Sequence, residues 1–130
     1  MAKIGAGTKI HEPVFIGNNV IIGEDCRIQA FVFIPDNVVI GDRVFVGPHC
    51  CFLNDLYPPS HGEWKNKKPT IVKNNVKIGG NCTILPHIIL EEGCMIGAGS
   101  VVTKNVKKNM LVYGNPAKEI GNASERRYKK

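Results

Sequence analysis

The 130-residue sequence predicts an all-β fold, a solenoid of short strands wound around one apolar core. Three observations carry this. A branched aliphatic residue or Phe returns every sixth position from Ile4 through Ile10, Ile16, Ile22, Ile28, Ile34, Ile40, Val46 and Phe52, and again from Val72 through Ile78, Ile84, Leu90, Ile96 and Val102. Gly often follows directly (Gly5, Gly17, Gly23, Gly41, Gly47, Gly79, Gly97), and a small or β-branched residue stands four places after the apolar one. Neither an amphipathic helix nor an alternating strand has a period of six.

Each hexad supplies one short strand and one turn, and three hexads close a triangular coil of about 18 residues that rises by the inter-strand spacing of about 4.8 Å. About five coils are expected. The pairs Asn18-Asn19, Asp36-Asn37 and Asn74-Asn75 fall at coil corners, where Asn and Asp tolerate a positive φ. Between Phe52 and Val72 the spacing is 20 residues, not a multiple of six, so the chain leaves the solenoid there. The polar, Pro-containing segment 54–68 is the extruded loop, and a loop of this length in a compact domain commonly carries function. The repeat domain spans 1–118 and a basic tail spans 119–130, with Ala123–Lys130 expected as a short helix covering the last coil's open edge.

A formal charge of +6 arises from 17 Lys and Arg against 11 Asp and Glu, with much of the excess late in the chain. No aromatic-and-basic motif of a nucleic-acid module accompanies it, so a small polyanion suits the charge and no nucleic-acid partner is expected. No apolar run approaches a membrane span, and Met1–Lys9 lacks a signal peptide's apolar stretch, so no membrane association and a cytoplasmic location are expected. Cys26, Cys50, Cys82 and Cys94 share the slot held elsewhere by Val14, Val20, Val38 and Val44. They are expected as small buried residues and not as metal ligands or disulfides, while Cys51 lies one place off and faces outward.

The C-terminal run Ile96-Gly97-Ala98-Gly99-Ser100-Val101-Val102-Thr103-Lys104, then Gly114-Asn115-Pro116-Ala117-Lys118, resembles the hexapeptide-repeat acyltransferases from Ile4 to about Lys118. Parallel crossovers are normally right-handed, but the resemblance implies that family's left-handed parallel β-helix. It further implies acetyl-coenzyme A as cosubstrate, lying in a groove between subunits of a homotrimer, with no metal. Gly80 and Ala98 match turn positions whose backbone meets the coenzyme's pantetheine arm. Thr103, Lys104 and Lys118 match positions near its phosphates and adenine. Small residues permit close backbone approach, and Lys is a suitable point charge for phosphate.

The stretch Gly47-Pro48-His49-Cys50-Cys51-Phe52-Leu53-Asn54-Asp55-Leu56-Tyr57-Pro58 is similar to the nucleotide-sugar amine N-acetyltransferases. That similarity places Asn54 beside the acceptor amine of an amino-sugar nucleotide. Leu53 stands where that group usually has Thr, and Pro59 where it often has Arg. In the galactoside and maltose O-acetyltransferases the catalytic His aligns with Tyr57, so a hydroxyl acceptor lacks its base here, whereas a free amine needs less help. His49 is a candidate base or amine-binding group, His61 a candidate base or a solvated loop residue, Asp55 a loop-start hydrogen bonder or an amine-binding carboxylate, and His87 a corner residue, with contact to the coenzyme arm as its alternative. His11 is surface. An O-acetyltransferase acting on a sugar hydroxyl, with His61 four residues from Tyr57 as a displaced base, and a non-catalytic binding solenoid are the two alternatives. A zinc-dependent carbonic anhydrase of this fold is disfavoured because no two His are five residues apart.

Overall fold

The computed structural model describes residues 1–125. Fifteen two-residue strands form the solenoid and wind three to a coil. Coil one holds β1 (Lys3–Ile4), β2 (Lys9–Ile10) and β3 (Phe15–Ile16); coil two holds β4 (Ile21–Ile22), β5 (Arg27–Ile28) and β6 (Phe33–Ile34). Coil three holds β7 (Val39–Ile40), β8 (Phe45–Val46) and β9 (Cys51–Phe52); coil four holds β10 (Ile71–Val72), β11 (Lys77–Ile78) and β12 (Thr83–Ile84). Coil five holds β13 (Ile89–Leu90), β14 (Met95–Ile96) and β15 (Val101–Val102). Pairing is parallel from coil to coil and makes three sheets: face A (β1-β4-β7-β10-β13), face B (β2-β5-β8-β11-β14) and face C (β3-β6-β9-β12-β15). The architecture is the β-helix that the six-residue period demands.

The second residue of every strand points inward, and from Ile22 to Val102 these residues are buried, Phe52 among them with no exposed surface. The corner turns take their left-handed residue three places after the inward one. Asn19, Asn37 and Asn75 do so at φ 59°, 69° and 63°, as the sequence suggested, but Phe31, Arg43, His49 and His87 do so as well. Close stacking of coils explains the glycines. A Cβ on Gly79 would lie 2.6 Å from the Ala98 nitrogen, which is backbone and has nowhere to move.

The four expected cysteines are buried, and Cys51 sits on the outer side of β9, partly exposed. Three of them do more than fill space. The thiols of Cys26, Cys50 and Cys82 donate to the carbonyls of Gly41, Gly79 and Gly97 in the coil above, at 3.0, 3.0 and 3.1 Å. Thr8 does the same to Gly23 at 2.7 Å. This inward slot therefore offers a carbonyl acceptor, which a thiol or hydroxyl satisfies and Val does not.

Two features at the C-terminal end differ from expectation. Beyond coil five there is a sixth, partial turn: Val106 bridges to Leu90 on face A, and β16 (Met110–Gly114) adds to β14 on face B. The chain then reverses into β17 (Ala117–Asn122), antiparallel to β16, a strand the sequence did not announce. A boundary after Lys118 thus falls inside a strand. The alternation of β17 is weak (Ala-Lys-Glu-Ile-Gly-Asn), and its partner β16 supplies the apolar side, so local sequence alone did not reveal it. A single turn of 3-10 helix follows at Ala123–Glu125. The remainder of the expected helix, 126–130, lies outside the described residues.

Candidate functional site

The excursion between β9 and β10 leaves the solenoid where face C turns into face A. One turn of 3-10 helix, Glu63–Asn66, is its only regular element. All the sequence-derived site residues gather on the two long edges of face C or at its C-terminal end.

The first edge joins face B to face C and carries Ala30-Phe31, Pro48-His49, Gly80-Asn81 and Ala98-Gly99 on successive coils. Three corners on the other two edges cap the backbone N–H at the second turn position with a side chain from the next coil: Asn18 N–H to Asp36 Oδ1, Glu24 N–H to Asp42 Oδ1 and Asp42 N–H to Asn74 Oδ1, each 2.8 Å. On the B–C edge the capping position is held by Pro48, Gly80 and Ala98, which have no acceptor to offer. Carbonyls there are still used, since Pro48 accepts from Asn81 at 2.8 Å and Gly80 from Gly99 at 2.9 Å. The N–H groups of Gly80 and Ala98 have no acceptor among the described residues, so the edge presents two spare donors on adjacent coils, four and five. Such donors cost stability only when shielded from water or a ligand, and Ala98 is exposed. His49 sits on this edge too, stacked on Phe31 with ring centroids 4.8 Å apart.

The second edge joins face C to face A and carries the loop. Asn54 and Asp55 begin it. Asp55 Oδ2 accepts the Ser60 N–H at 2.9 Å, so one carboxylate oxygen closes the turn, as expected of a loop-start residue, and the other is unengaged. His61 is exposed at a left-handed position (φ 56°) directly before the 3-10 turn. His87 does not reach the Gly80–Ala98 line but occupies this second edge. Its Nδ1 lies 2.7 Å from the Lys68 carbonyl, and its backbone N–H donates to Thr70 Oγ1 at 3.2 Å. Both partners belong to the arm by which the loop rejoins the solenoid. A cavity of about 400 Å³ opens between the loop and the edge, lined by Asp55, Tyr57, Ser60, Trp64 and His87 among others. Within the loop the Ser60 hydroxyl oxygen is enclosed without a partner among the described residues.

At the C-terminal end the sixth turn lacks a face C strand, and the β16–β17 turn swings over the gap, held by the Gly114 N–H to Ser100 Oγ at 3.1 Å. A cavity of about 340 Å³ results, lined by Thr103, Lys104, Asn105, Pro116 and Lys118 with Glu119 the only acid. Neither lysine forms a salt bridge among the described residues. Thr103, Lys104 and Lys118, the residues expected near the phosphates, thus line one basic pocket, with Thr103 and Lys104 at the C–A corner of coil five, while Gly80 and Ala98 lie on the B–C edge and do not line it.

What the structure does not do within one chain is unite the two edges. The whole width of face C, strand β9 at that level, separates His49 from Asn54. Reasoning from sequence also missed His87 as a neighbour of the loop, because its contact to Lys68 crosses 19 residues outside the six-residue register. Among the described residues no group of three or more His, Cys, Asp or Glu is arranged to hold a metal ion.

Buried thiols complete the electrostatics. Burial, with the Glu91 charge nearby, pushes Cys94 up to about 12. The neighbouring Cys82 thiol and burial push Cys50 up as well, and the Cys50 thiol draws Cys82 down. None of the three opens onto either edge, and they serve the core.

Comparison with known proteins agrees with this geometry. The family model "Bacterial transferase hexapeptide (six repeats)" matches residues 19–54 and 69–104, the repeats on either side of the loop. Galactoside O-acetyltransferase of Escherichia coli is 31% identical over 96% of this chain and 66% of its own length. A 2,3,4,5-tetrahydropyridine-2,6-dicarboxylate N-acetyltransferase of Staphylococcus aureus is 35% identical over 63% of this chain and 32% of its own. The chain thus spans less than two thirds of these curated relatives. A galactoside acetyltransferase structure in complex with coenzyme A superposes with a TM-score of 0.83 at 29% identity, covering 98% of this chain and 70% of that one.

Proposed function

The chain belongs to the bacterial transferase hexapeptide family, and on that premise we propose that it is an acetyl-coenzyme A-dependent acetyltransferase whose acceptor is the amino group of a nucleotide-linked sugar. The observations that carry the reading are the spare Gly80 and Ala98 donors on the B–C edge and the basic pocket bearing Thr103, Lys104 and Lys118 at the C-terminal end of face C. An extended arm with amide carbonyls suits the first part and a polyphosphate suits the second, and coenzyme A joins the two. Its complex with a galactoside acetyltransferase of the same fold supports that ligand.

The acceptor binds at the C–A edge, where Asn54 orients the nucleophile by its amide without ionising. Because one chain holds the two edges on opposite sides of face C, the reaction needs the C–A edge of one subunit against the B–C edge of the next. A three-sided prism packs three such pairs, which gives a homotrimer. Apolar outward residues on face C, Phe15 and Phe33 stacked at 4.9 Å, suit burial in that assembly. The neutral amine attacks the thioester carbonyl carbon, and the C–S bond breaks on collapse of the intermediate.

An amine is favoured over a hydroxyl because Tyr57 stands where a hydroxyl-activating His is expected, and a relative acting on nitrogen matches 82 residues at 35%. The galactoside relative supports the other acceptor, so both are assayed together. Calorimetry should show stoichiometric acetyl-coenzyme A binding, and thiol release should rise with nucleotide amino-sugars and not with galactosides. Absence of coenzyme binding refutes the transferase reading; release with galactosides alone refutes the amine.

A further inference from the structure

We propose that His87 is the proton acceptor for the attacking amine. This rests on the transferase reading and adds a catalytic residue that the corner's sequence pattern does not announce. Of the four histidines, His87 alone has a ring nitrogen anchored to a backbone carbonyl, Nδ1 to Lys68 at 2.7 Å. A carbonyl only accepts, so Nδ1 carries the proton, and in the neutral ring Nε2 is left with a lone pair and no partner among the described residues. The base is thereby fixed in both tautomer and orientation before any substrate arrives.

Its surroundings fit a reaction centre. His87 and Asn54 line one small gap between the loop arm and the edge, with room for about one water molecule. Asn54 orients the amine and His87 stands beside it. On the other side, His87 opens into the larger loop cavity, whose Trp64 and Tyr57 supply flat apolar walls. The enclosed Ser60 hydroxyl there lacks a partner, which a polar group of the acceptor would provide. The charged groups that line the two cavities together with His87 are Asp55, Glu63, Lys67 and Lys68 from the loop and Asp36 from two coils below. His49, by contrast, lies on the coenzyme edge against Phe31, and His61 is exposed with no ring contact.

The step balances. The amine nitrogen bonds to the acetyl carbonyl carbon and loses one proton to His87 Nε2, the C–S bond breaks, and the proton passes to the departing thiolate. The products are an amide and free coenzyme A.

His87→Asn tests this. Asn occupies the same left-handed corner position at Asn19, Asn37, Asn75 and Asn81, and its amide N–H can still reach the Lys68 carbonyl. The variant keeps the anchor and removes the base. With a nucleotide-linked amino-sugar as acceptor, kcat should fall by roughly a hundredfold or more and lose its rise with pH, while acetyl-coenzyme A binding by calorimetry stays within twofold. Long-range proton–nitrogen NMR on the full chain should show the Nδ1–H tautomer for His87. Activity within threefold of wild type with an unchanged pH profile, or an Nε2–H tautomer, overturns the proposal and leaves His87 as an anchor for the loop. If instead the wild-type protein fails to bind acetyl-coenzyme A, it is the transferase reading that falls, and this one with it.

Discussion

Removing the Ala98 N–H without disturbing the coil is feasible because the fold already contains the control. Pro48 occupies the same turn position two coils below, preceded by Gly47 as Ala98 is preceded by Gly97, so Ala98→Pro asks the backbone for a conformation this edge already adopts. The Ala98 N–H serves no acceptor in the protein among the described residues, so no internal hydrogen bond is lost. A proline at a compatible position restricts the unfolded chain and raises stability by about 0.4–1 kcal/mol. On the ligand side, one amide-to-carbonyl hydrogen bond contributes about 0.5–1.5 kcal/mol net, so the acetyl-coenzyme A dissociation constant should rise roughly 2- to 13-fold. Calorimetry measures the affinity, thermal melts measure stability, and Ala98→Ser, which keeps the N–H, should leave affinity unchanged. A variant that melts no lower than wild type yet binds acetyl-coenzyme A equally well would refute the assignment of the B–C edge donors to the coenzyme.

Three further outcomes follow from the same structure. Lys104→Ala and Lys118→Ala should each weaken acetyl-coenzyme A by a charged contact of about 1–2 kcal/mol, seen as a raised KM with unchanged acceptor affinity; no change would move the phosphates out of the C-terminal pocket. Asn54→Ala should lower kcat on the order of a hundredfold with the melting temperature nearly unaltered, and full activity would remove the acceptor from the C–A edge. Cys94 is held protonated by burial up to about 12, against an ordinary thiol value of 9.0, so the folded state keeps a proton that the unfolded chain releases between those values. Its stabilising contribution is complete below about pH 9 and is lost as pH rises toward 12. Cys94→Val, matching Val76 on the coil below, should flatten that alkaline fall in urea titrations, and an equally steep fall would assign it to other groups.

The solenoid was legible because its physics is repetitive: one inward side chain, one corner and one inter-coil ladder recur every six residues, and each error-free repeat reinforces the next. Asn19, Asn37 and Asn75 announced their corners by side-chain type. Phe31 and His87 did not, because position in the ladder overrides a local aversion to positive φ. The slot of Cys26, Cys50 and Cys82 was readable, but the carbonyl that each thiol meets belongs to another coil. That acceptor changes what Ser would do there: a hydroxyl finds a partner, as Ser100 does with the Gly97 carbonyl at 2.6 Å, so Cys→Ser at these sites costs less than a burial argument alone requires. The β16–β17 hairpin and the His87–Lys68 contact were invisible for a common reason. Both join segments whose spacing follows no period.

The loop insertion and the missing caps are two halves of one arrangement. Where an Asp or Asn of the next coil caps the corner, as at Asn18, Glu24 and Asp42, the N–H has nothing to offer a ligand. On the B–C edge Gly80 and Ala98 have no such cap, so water or a bound molecule takes the donors. The C–A edge keeps the Asp36 cap on Asn18 and carries the loop. Each edge holds a different part: the B–C edge presents the Gly80 and Ala98 donors, the C–A edge carries Asn54 and His87, and the basic pocket closes the C-terminal end of face C. Since face C separates them in every copy, activity should depend on subunit contact even though each chain folds around its own complete core. Mixing an Asn54→Ala chain with an Ala98→Pro chain in one assembly then leaves some interfaces with both edges intact. Recovery of acetyl transfer above that of either variant alone shows the two edges acting in trans, whereas strict additivity of the two losses shows them acting within one chain.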